Sequence, residues 1–260
     1  MGALEIQIRA FKGFFCFLML HYVIMALILT LISYHSVITY VFSVIVAVLY
    51  IVFFIVWYIR KTGDKNTFVV KGIHWQTWFR LFLLCISHYI IVTIIYGYPI
   101  CNTKNHITKE LLIFLLRPVI YSPIIEEILF RGLLQKRLSE KLPYWWSILI
   151  TTILFILFHL KKTTKIFSLF MIGTSCLYGG IIYYKTDKLI LCILFHSLYN
   201  ILIGISQFSY KYIPMLQILS FMIAISIAVY AIRGLMKDST LNLKCNVATS
   251  QITNKNENFK

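Results

Sequence analysis

The sequence predicts an all-α protein, a polytopic bundle of about eight transmembrane helices with a polar site buried between them. Three observations lead there. Of 260 residues, 60% are hydrophobic and only 13% charged, against about 25% charged in an average soluble domain. The apolar residues come in runs close to the roughly 20 that a helix needs to cross a bilayer. The charges gather in the short breaks between those runs. The polar remainder is too small for a separate globular domain. Residues 1–236 therefore read as one transmembrane domain, with a motif-bearing core at about 108–208, and 237–260 as a polar, Asn-rich, disordered tail.

The runs fall at 14–32, 37–59, 78–96, 107–130, 144–160, 166–184, 189–208 and 213–232. The first follows Arg9 and Lys12 like a signal peptide, but it is too long and lacks a small-residue cleavage site, so it reads as a retained span. The second and third are bounded by the basic break 61–71 and the polar break 102–106. The fourth contains Pro118, directly after Arg117. Proline removes a backbone hydrogen bond and clashes one turn back. A break or kink is expected there, with a fresh helix running to about Glu140, and whether 107–117 spans or dips stays open. The last four runs are separated by the basic breaks 136–141, 161–165 and 185–188.

The formal charge of +16 comes from 25 Lys and Arg against nine Asp and Glu. Cations confined to short loops belong against anionic lipid headgroups. No basic face joins an aromatic stacking platform, which excludes a nucleic-acid partner. Counting cations in alternate loops places the N-terminus, the 60–71 and 136–141 loops and the tail on the cytoplasmic side; Lys161, Lys162 and Lys165 fall against that count. Six cysteines, Cys16, Cys85, Cys101, Cys176, Cys192 and Cys245, stand singly with no C-x-x-C spacing and read as small hydrophobes.

Of the nine acids, only Glu126 and Glu127 sit side by side within an apolar stretch. One ionisable group at the centre of a span costs about 2.5 to 3.5 kcal/mol on insertion scales. Arg131 follows Glu127 by four, on the same helix face, and can partly neutralise it. Glu126 points about 100° away and has no such partner. His159 closes the fifth run, and His196 and Asn200 lie one turn apart on one face of the seventh. If 118–140 and 144–159 form an antiparallel hairpin turning near Leu142, Glu126 falls opposite about residue 158, level with His159. His196 lies only about 12 Å into its run, so helix tilt must absorb a mismatch. Structural readings stand beside these: a Glu127–Arg131 ion pair, an interfacial His159, and His196 with Asn200 as an interhelical polar contact. His21, His35, His74, His88 and His106 have no acidic or amide partner at helical spacing and carry no functional assignment.

Ser122-Pro-Ile-Ile-Glu-Glu-Ile-Leu-Phe-Arg-Gly-Leu-Leu-Gln135, then Phe155-x-x-x-His159, then His196-x-x-x-Asn200 closely resemble the CPBP family, the CAAX-processing and bacteriocin-processing intramembrane endopeptidases, also called Abi proteins. The likeness extends through Gly173, Gly179, Gly180 and Tyr184-Lys-Thr-Asp-Lys-Leu, covering about 118–200, with no departure at the motif residues; Asp187 stands where a small turn residue is expected. The resemblance implies that Glu126 and His159 activate the attacking water and that His196 and Asn200 stabilise the oxyanion, with Glu127 and Arg131 in support.

Peptide hydrolysis in a dry place needs a base, a polar cavity that admits water, and donors for the developing oxyanion. A metal-free glutamic mechanism is favoured, with no cofactor. Zinc is the alternative, held by Glu126, His159 and His196 with an open fourth position, although the histidines lack the HExxH spacing of one helix. The expected partners are lipid and a membrane-anchored or membrane-spanning peptide, such as a bacteriocin or pheromone precursor or a CAAX-type tail. Richness in Ile, Lys, Tyr and Asn, typical of AT-rich genomes, favours the cytoplasmic membrane of a Gram-positive bacterium and tells against prenyl processing. Two other functions compete: a non-catalytic bacteriocin self-immunity or membrane regulatory protein of the same fold, and a proton or ion transporter, against which stands the lack of an internal repeat.

Overall fold

The computed structural model describes residues 37–96, 115–160, 166–206 and 215–238, together with isolated helical positions between 16 and 30. These form α1 (Val37–Thr62), a 3₁₀ turn (Asn66–Phe68), α2 (Trp75–Tyr96), a composite α3, α4 (Tyr144–His159), α5 (Ile166–Thr186), α6 (Leu189–Ser206) and α7 (Met215–Lys237). Helix α3 runs through four consecutive pieces, Leu115–Tyr121, Ser122–Glu127, Ile128–Gln135 and Lys136–Ser139. The described residues contain helices and no strand, as an all-α fold requires. Most of the run 14–32, the break 102–106 and nearly all of the tail 237–260 lie outside the described residues.

Two of these helices are long and apolar enough to cross a bilayer, over Val41–Thr62 and Ser220–Lys237. Segments Tyr144–His159 and Leu189–Leu202 are apolar but shorter; at 1.5 Å per residue, the 16 residues of α4 reach only about 24 Å. Eight full spans are therefore not what the described helices provide. The expected spans α2, α3 and α5 carry Arg80, the Glu-Glu-Arg motif with Gln135, and a Gly, Ser and Thr-rich stretch, respectively. Part of their apolar content packs between helices and part, such as Phe79, Phe82 and Phe170, stays exposed. On α1, Val41, Ile45, Val48, Val52 and Val56 form a stripe at helical spacing, all exposed. So large an uncovered apolar face fits contact with lipid tails and not with water.

Pro118 does not break α3. The residues Leu115–Tyr121 around it take the wider π-helical register, as do Ile128–Gln135. Widening the turn moves away the carbonyl that a proline ring strikes in an α-helix. The helix then continues to Ser139, and Leu138 accepts from both Lys141 and Leu142 N–H to turn the chain into α4.

Helix α6 packs against α2, α3 and α5, while α4 lies along α5 and α7 along α2. Phe54, Leu84, Ile125, Ile128, Leu129, Ile182, Leu191 and Ala231 fill the space between them. Two buried hydroxyls inside α4 are satisfied locally: those of Thr151 and Ser147 donate to the carbonyls of Ser147 and Tyr144, each at 2.7 Å.

One end of the bundle is tied together by its basic loops. Lys136 reaches Asp64 at 3.0 Å and Arg80 reaches Asp238 at 2.9 Å. Lys188 Nζ donates to the Asn66 carbonyl at 2.7 Å, and Lys185 Nζ to that of Met236 at 2.8 Å. The Thr67 hydroxyl donates to the Asp187 carbonyl and accepts from Leu189 N–H. Asp187 makes the α5–α6 turn at φ +52°, a left-handed conformation that Asp tolerates because its side chain is short and polar. The 60–71 and 136–141 loops thus share an end, as the alternating loop count requires.

Close approach of α3 to α1 depends on Gly132. A Cβ there would lie 2.7 Å from a ring carbon of Tyr58, which is fully buried against Phe68. Gly132→Ala should overpack this contact, at a cost of about 1–3 kcal/mol, and lower the thermal unfolding midpoint in detergent; an unchanged or raised midpoint would show that the contact is slack.

Candidate active site

Two carboxylates adjacent in sequence leave a helix in different directions, so burying both requires two sets of partners. Glu126 and Glu127 are 1% and 3% exposed, and they close the α-helical turn Ser122–Glu127 that lies between the two π-helical pieces of α3.

Glu127 is bound on both oxygens. Its Oε1 accepts from His196 Nδ1 at 2.9 Å. Its Oε2 lies 3.1 Å from Arg131 Nε, an ion pair one turn along the helix that is out of line for a hydrogen bond. Arg131 is itself buried. It donates from Nη1 to Cys176 Sγ and from Nη2 to the Cys176 carbonyl, both at 3.1 Å, and its guanidinium stands over the Phe155 ring. Space for it exists because residue 179 is glycine: a Cβ there would come 2.9 Å from Nη2. Next to it, Gln135 Nε2 donates to the Gly180 carbonyl at 2.9 Å. The Gly179-Gly180 pair thus seats the polar face of α3 against α5.

Glu126 is tied differently. Its Oε1 accepts from the Ser122 hydroxyl, one turn back, at 2.5 Å. Its Oε2 faces two imidazoles, 3.7 Å from His159 Nε2 and 4.0 Å from His196 Nε2. Each imidazole has its other nitrogen engaged. His159 Nδ1 is 2.8 Å from the Phe155 carbonyl; a carbonyl only accepts, so Nδ1 carries the proton and Nε2 turns to Glu126. His196 Nδ1 meets a carboxylate oxygen of Glu127, and the same reasoning sends its Nε2 to Glu126. Phe155 walls the group, with ring centroids 4.4 Å from His159, 6.3 Å from His196 and 4.7 Å from Phe130.

The structure therefore brings Glu126, His159 and His196 to one point, with Glu127 and Arg131 behind His196. The hairpin arithmetic that set Glu126 level with His159 agrees with this, and His196 reaches the same point despite its shallow position on α6. Asn200, one turn beyond His196 on α6, donates from Nδ2 to the Pro118 carbonyl at 2.6 Å. In the π register that carbonyl would look to the N–H of residue 123, which is proline and has none. Asn200 supplies the missing donor and fastens α6 to the wide turn of α3.

The sequence reading passed over Ser122, Cys176 and the Pro118 carbonyl as partners. Only Ser122 had a visible signal, its place four residues before Glu126 on the same face. Of the histidines left without a role, His88 is buried edge-on to Tyr199 and Tyr178, with ring centroids 4.6 and 5.5 Å away. His74 is in the loop before α2, and His21, His35 and His106 lie outside the described residues. Cys85, Cys176 and Cys192 are buried free thiols; Cys101 and Cys245 lie outside the described residues.

Removing one partner from a buried ion pair leaves an uncompensated charge, at a cost of about 3–5 kcal/mol. Arg131→Ala should accordingly lower the thermal midpoint of the detergent-solubilised protein far more than an exposed substitution such as Arg137→Ala. Equal midpoints for the two variants would contradict the ion-pair account.

A family model described as type II CAAX prenyl endopeptidase, Rce1-like, matches residues 108–202, a stretch that contains all three motifs. It is the family those motifs resemble, and a family of membrane-embedded proteases. Comparison with curated proteins and with solved structures returns no significant match.

Proposed function

We propose that this protein is an intramembrane endopeptidase that hydrolyses peptide bonds of membrane-anchored or membrane-spanning peptides with water activated by Glu126 and His159. The observation that carries the reading is the convergence of Glu126 Oε2 with two imidazole nitrogens whose opposite nitrogens are already committed. Glu126 Oε2 and His159 Nε2 stand 3.7 Å apart, beyond direct hydrogen-bond distance. In this reading one water lies between them, about 2.8 Å from each.

In this reading Glu126 takes a proton from that water as its oxygen attacks the scissile carbonyl carbon. His196 stands at the developing oxyanion. For Nε2 to donate while Nδ1 donates to Glu127, the ring must hold both protons, and Glu127 then balances the imidazolium, as the buried carboxylate of a hydrolytic triad does. Asn200 has a second amide N–H beyond the one given to Pro118, and it serves as the other oxyanion donor. Collapse breaks the C–N bond, and the proton held by Glu126 passes to the leaving amine. Arg131 touches no reacting atom; it holds Glu127, and Glu127 holds His196.

Glu126, His159 and His196 are the donor types that zinc takes. Their fit is loose, since ligands around a tetrahedral zinc at 2.0–2.1 Å stand about 3.3 Å apart, against 3.7 and 4.0 Å here. Among the described residues no group of His, Cys, Asp and Glu is arranged to hold a metal. No step is assigned to one.

The matched family description names prenylated CAAX tails as the substrate of those proteins. For this chain, a CAAX-type tail and a bacteriocin or pheromone precursor demand the same chemistry, an extended peptide delivered from lipid. In this reading the basic end with Lys136 and Lys188 faces the anionic cytoplasmic leaflet, and Glu126 lies at most about 20 Å from Ser139 along α3, within a hydrocarbon core of about 30 Å. A bacteriocin self-immunity or regulatory protein would need no carboxylate aimed at two oriented imidazoles, so that reading is the weaker one.

In a purified, lipid-reconstituted assay with a fluorogenic membrane peptide, Glu126→Gln and His159→Ala should leave the protein folded and cut turnover by at least a hundredfold, the scale of general-base loss. Turnover equal to the parent's in either variant would remove the site assignment. Dialysis against a strong chelator should leave activity unchanged, whereas a loss that added zinc restores would establish the metal alternative.

A further inference from the structure

A carboxylate has two equivalent oxygens and rotates about one bond, so a catalytic carboxylate works best when something decides which oxygen faces the substrate. Glu127 is divided in this way by His196 and Arg131. For Glu126 the corresponding divider is the Ser122 hydroxyl, which donates to Oε1 at 2.5 Å while Oε2 faces His159 and His196. The backbone holds Ser122 in place from both sides. Pro123 follows it at the start of the α-helical turn, and the π-helical piece that precedes it is anchored through the Pro118 carbonyl by Asn200.

We infer that Ser122 is a positioning residue for the proposed hydrolysis: its hydroxyl fixes the rotation of the Glu126 carboxylate so that Oε2 alone is offered to the water shared with His159. The inference rests on the endopeptidase reading and deepens it. Ser122 touches neither substrate nor water; it acts through Glu126. A hydrogen bond to an ionised group contributes about 1.5–3 kcal/mol, which corresponds to roughly a 10- to 100-fold loss of kcat when it is removed. Because the hydroxyl orients the base and does not bind the peptide, KM should move little.

The test compares Ser122→Thr with Ser122→Val in the lipid-reconstituted protein. The two side chains have nearly the same size and β-branching and differ in the hydroxyl. Ser122→Thr should keep most of the parent's kcat. Ser122→Val should lose roughly 10- to 100-fold in kcat, at unchanged KM and with a thermal midpoint like that of Ser122→Thr. Equal kcat in the two variants overturns the role of the hydroxyl, and so does a Val defect confined to KM or to the midpoint. Glu126→Gln run alongside separates the two levels of the argument. If it is inactive while Thr and Val behave alike, the positioning role fails and the endopeptidase reading stands; if it turns over like the parent, that reading itself fails.

Discussion

Two neighbouring carboxylates in an apolar helix are tolerable only if the surrounding protein neutralises and divides them, and the rest of this molecule follows from how that is done. Glu127 is held by Arg131 on one oxygen and by His196 on the other. Arg131 can be buried because Cys176 accepts from it and glycine at 179 leaves it room. Removing any one of these groups strands a charge or a donor in a medium where an unpaired polar group costs several times what it does in water. The helix contacts that assemble the site are therefore the same contacts that make the buried charges bearable.

The two acids receive opposite treatment. Glu127 is surrounded by charged and hydrogen-bonding partners, and its negative charge is spent on holding other groups in place. At Glu126, Oε1 accepts from the Ser122 hydroxyl and Oε2 stands 3.7 and 4.0 Å from two imidazole nitrogens. Adjacent residues of one type thus meet different environments, the condition under which paired carboxylates can divide acid–base tasks.

Much of the helical layout was legible in hydropathy alone. The runs at 37–59, 144–160, 166–184 and 189–208 correspond to α1, α4, α5 and α6 with ends shifted by a few residues. The levels of Glu126 and His159 could be set from the length of a hairpin, because the chain stays helical from Glu126 to Ser139 and the turn between the arms is short. Other features were out of reach for specific reasons. The π register around Pro118 depends on a carbonyl being served from α6, a tertiary fact. Asn200 shares a face with His196, and spacing alone does not show that its amide turns to that carbonyl. The number of full spans could not be read from apolar runs either, since a run such as 78–96 supplies packing surface between helices as readily as lipid-facing surface.

The most direct measurement of the central claim is mass spectrometry of membrane-derived peptides from cells carrying the parent protein and from cells carrying Glu126→Gln. The account predicts a set of cleavage products, sharing one type of scissile bond, that is present with the parent and absent with the variant. Identical peptide populations in the two cell lines would contradict it.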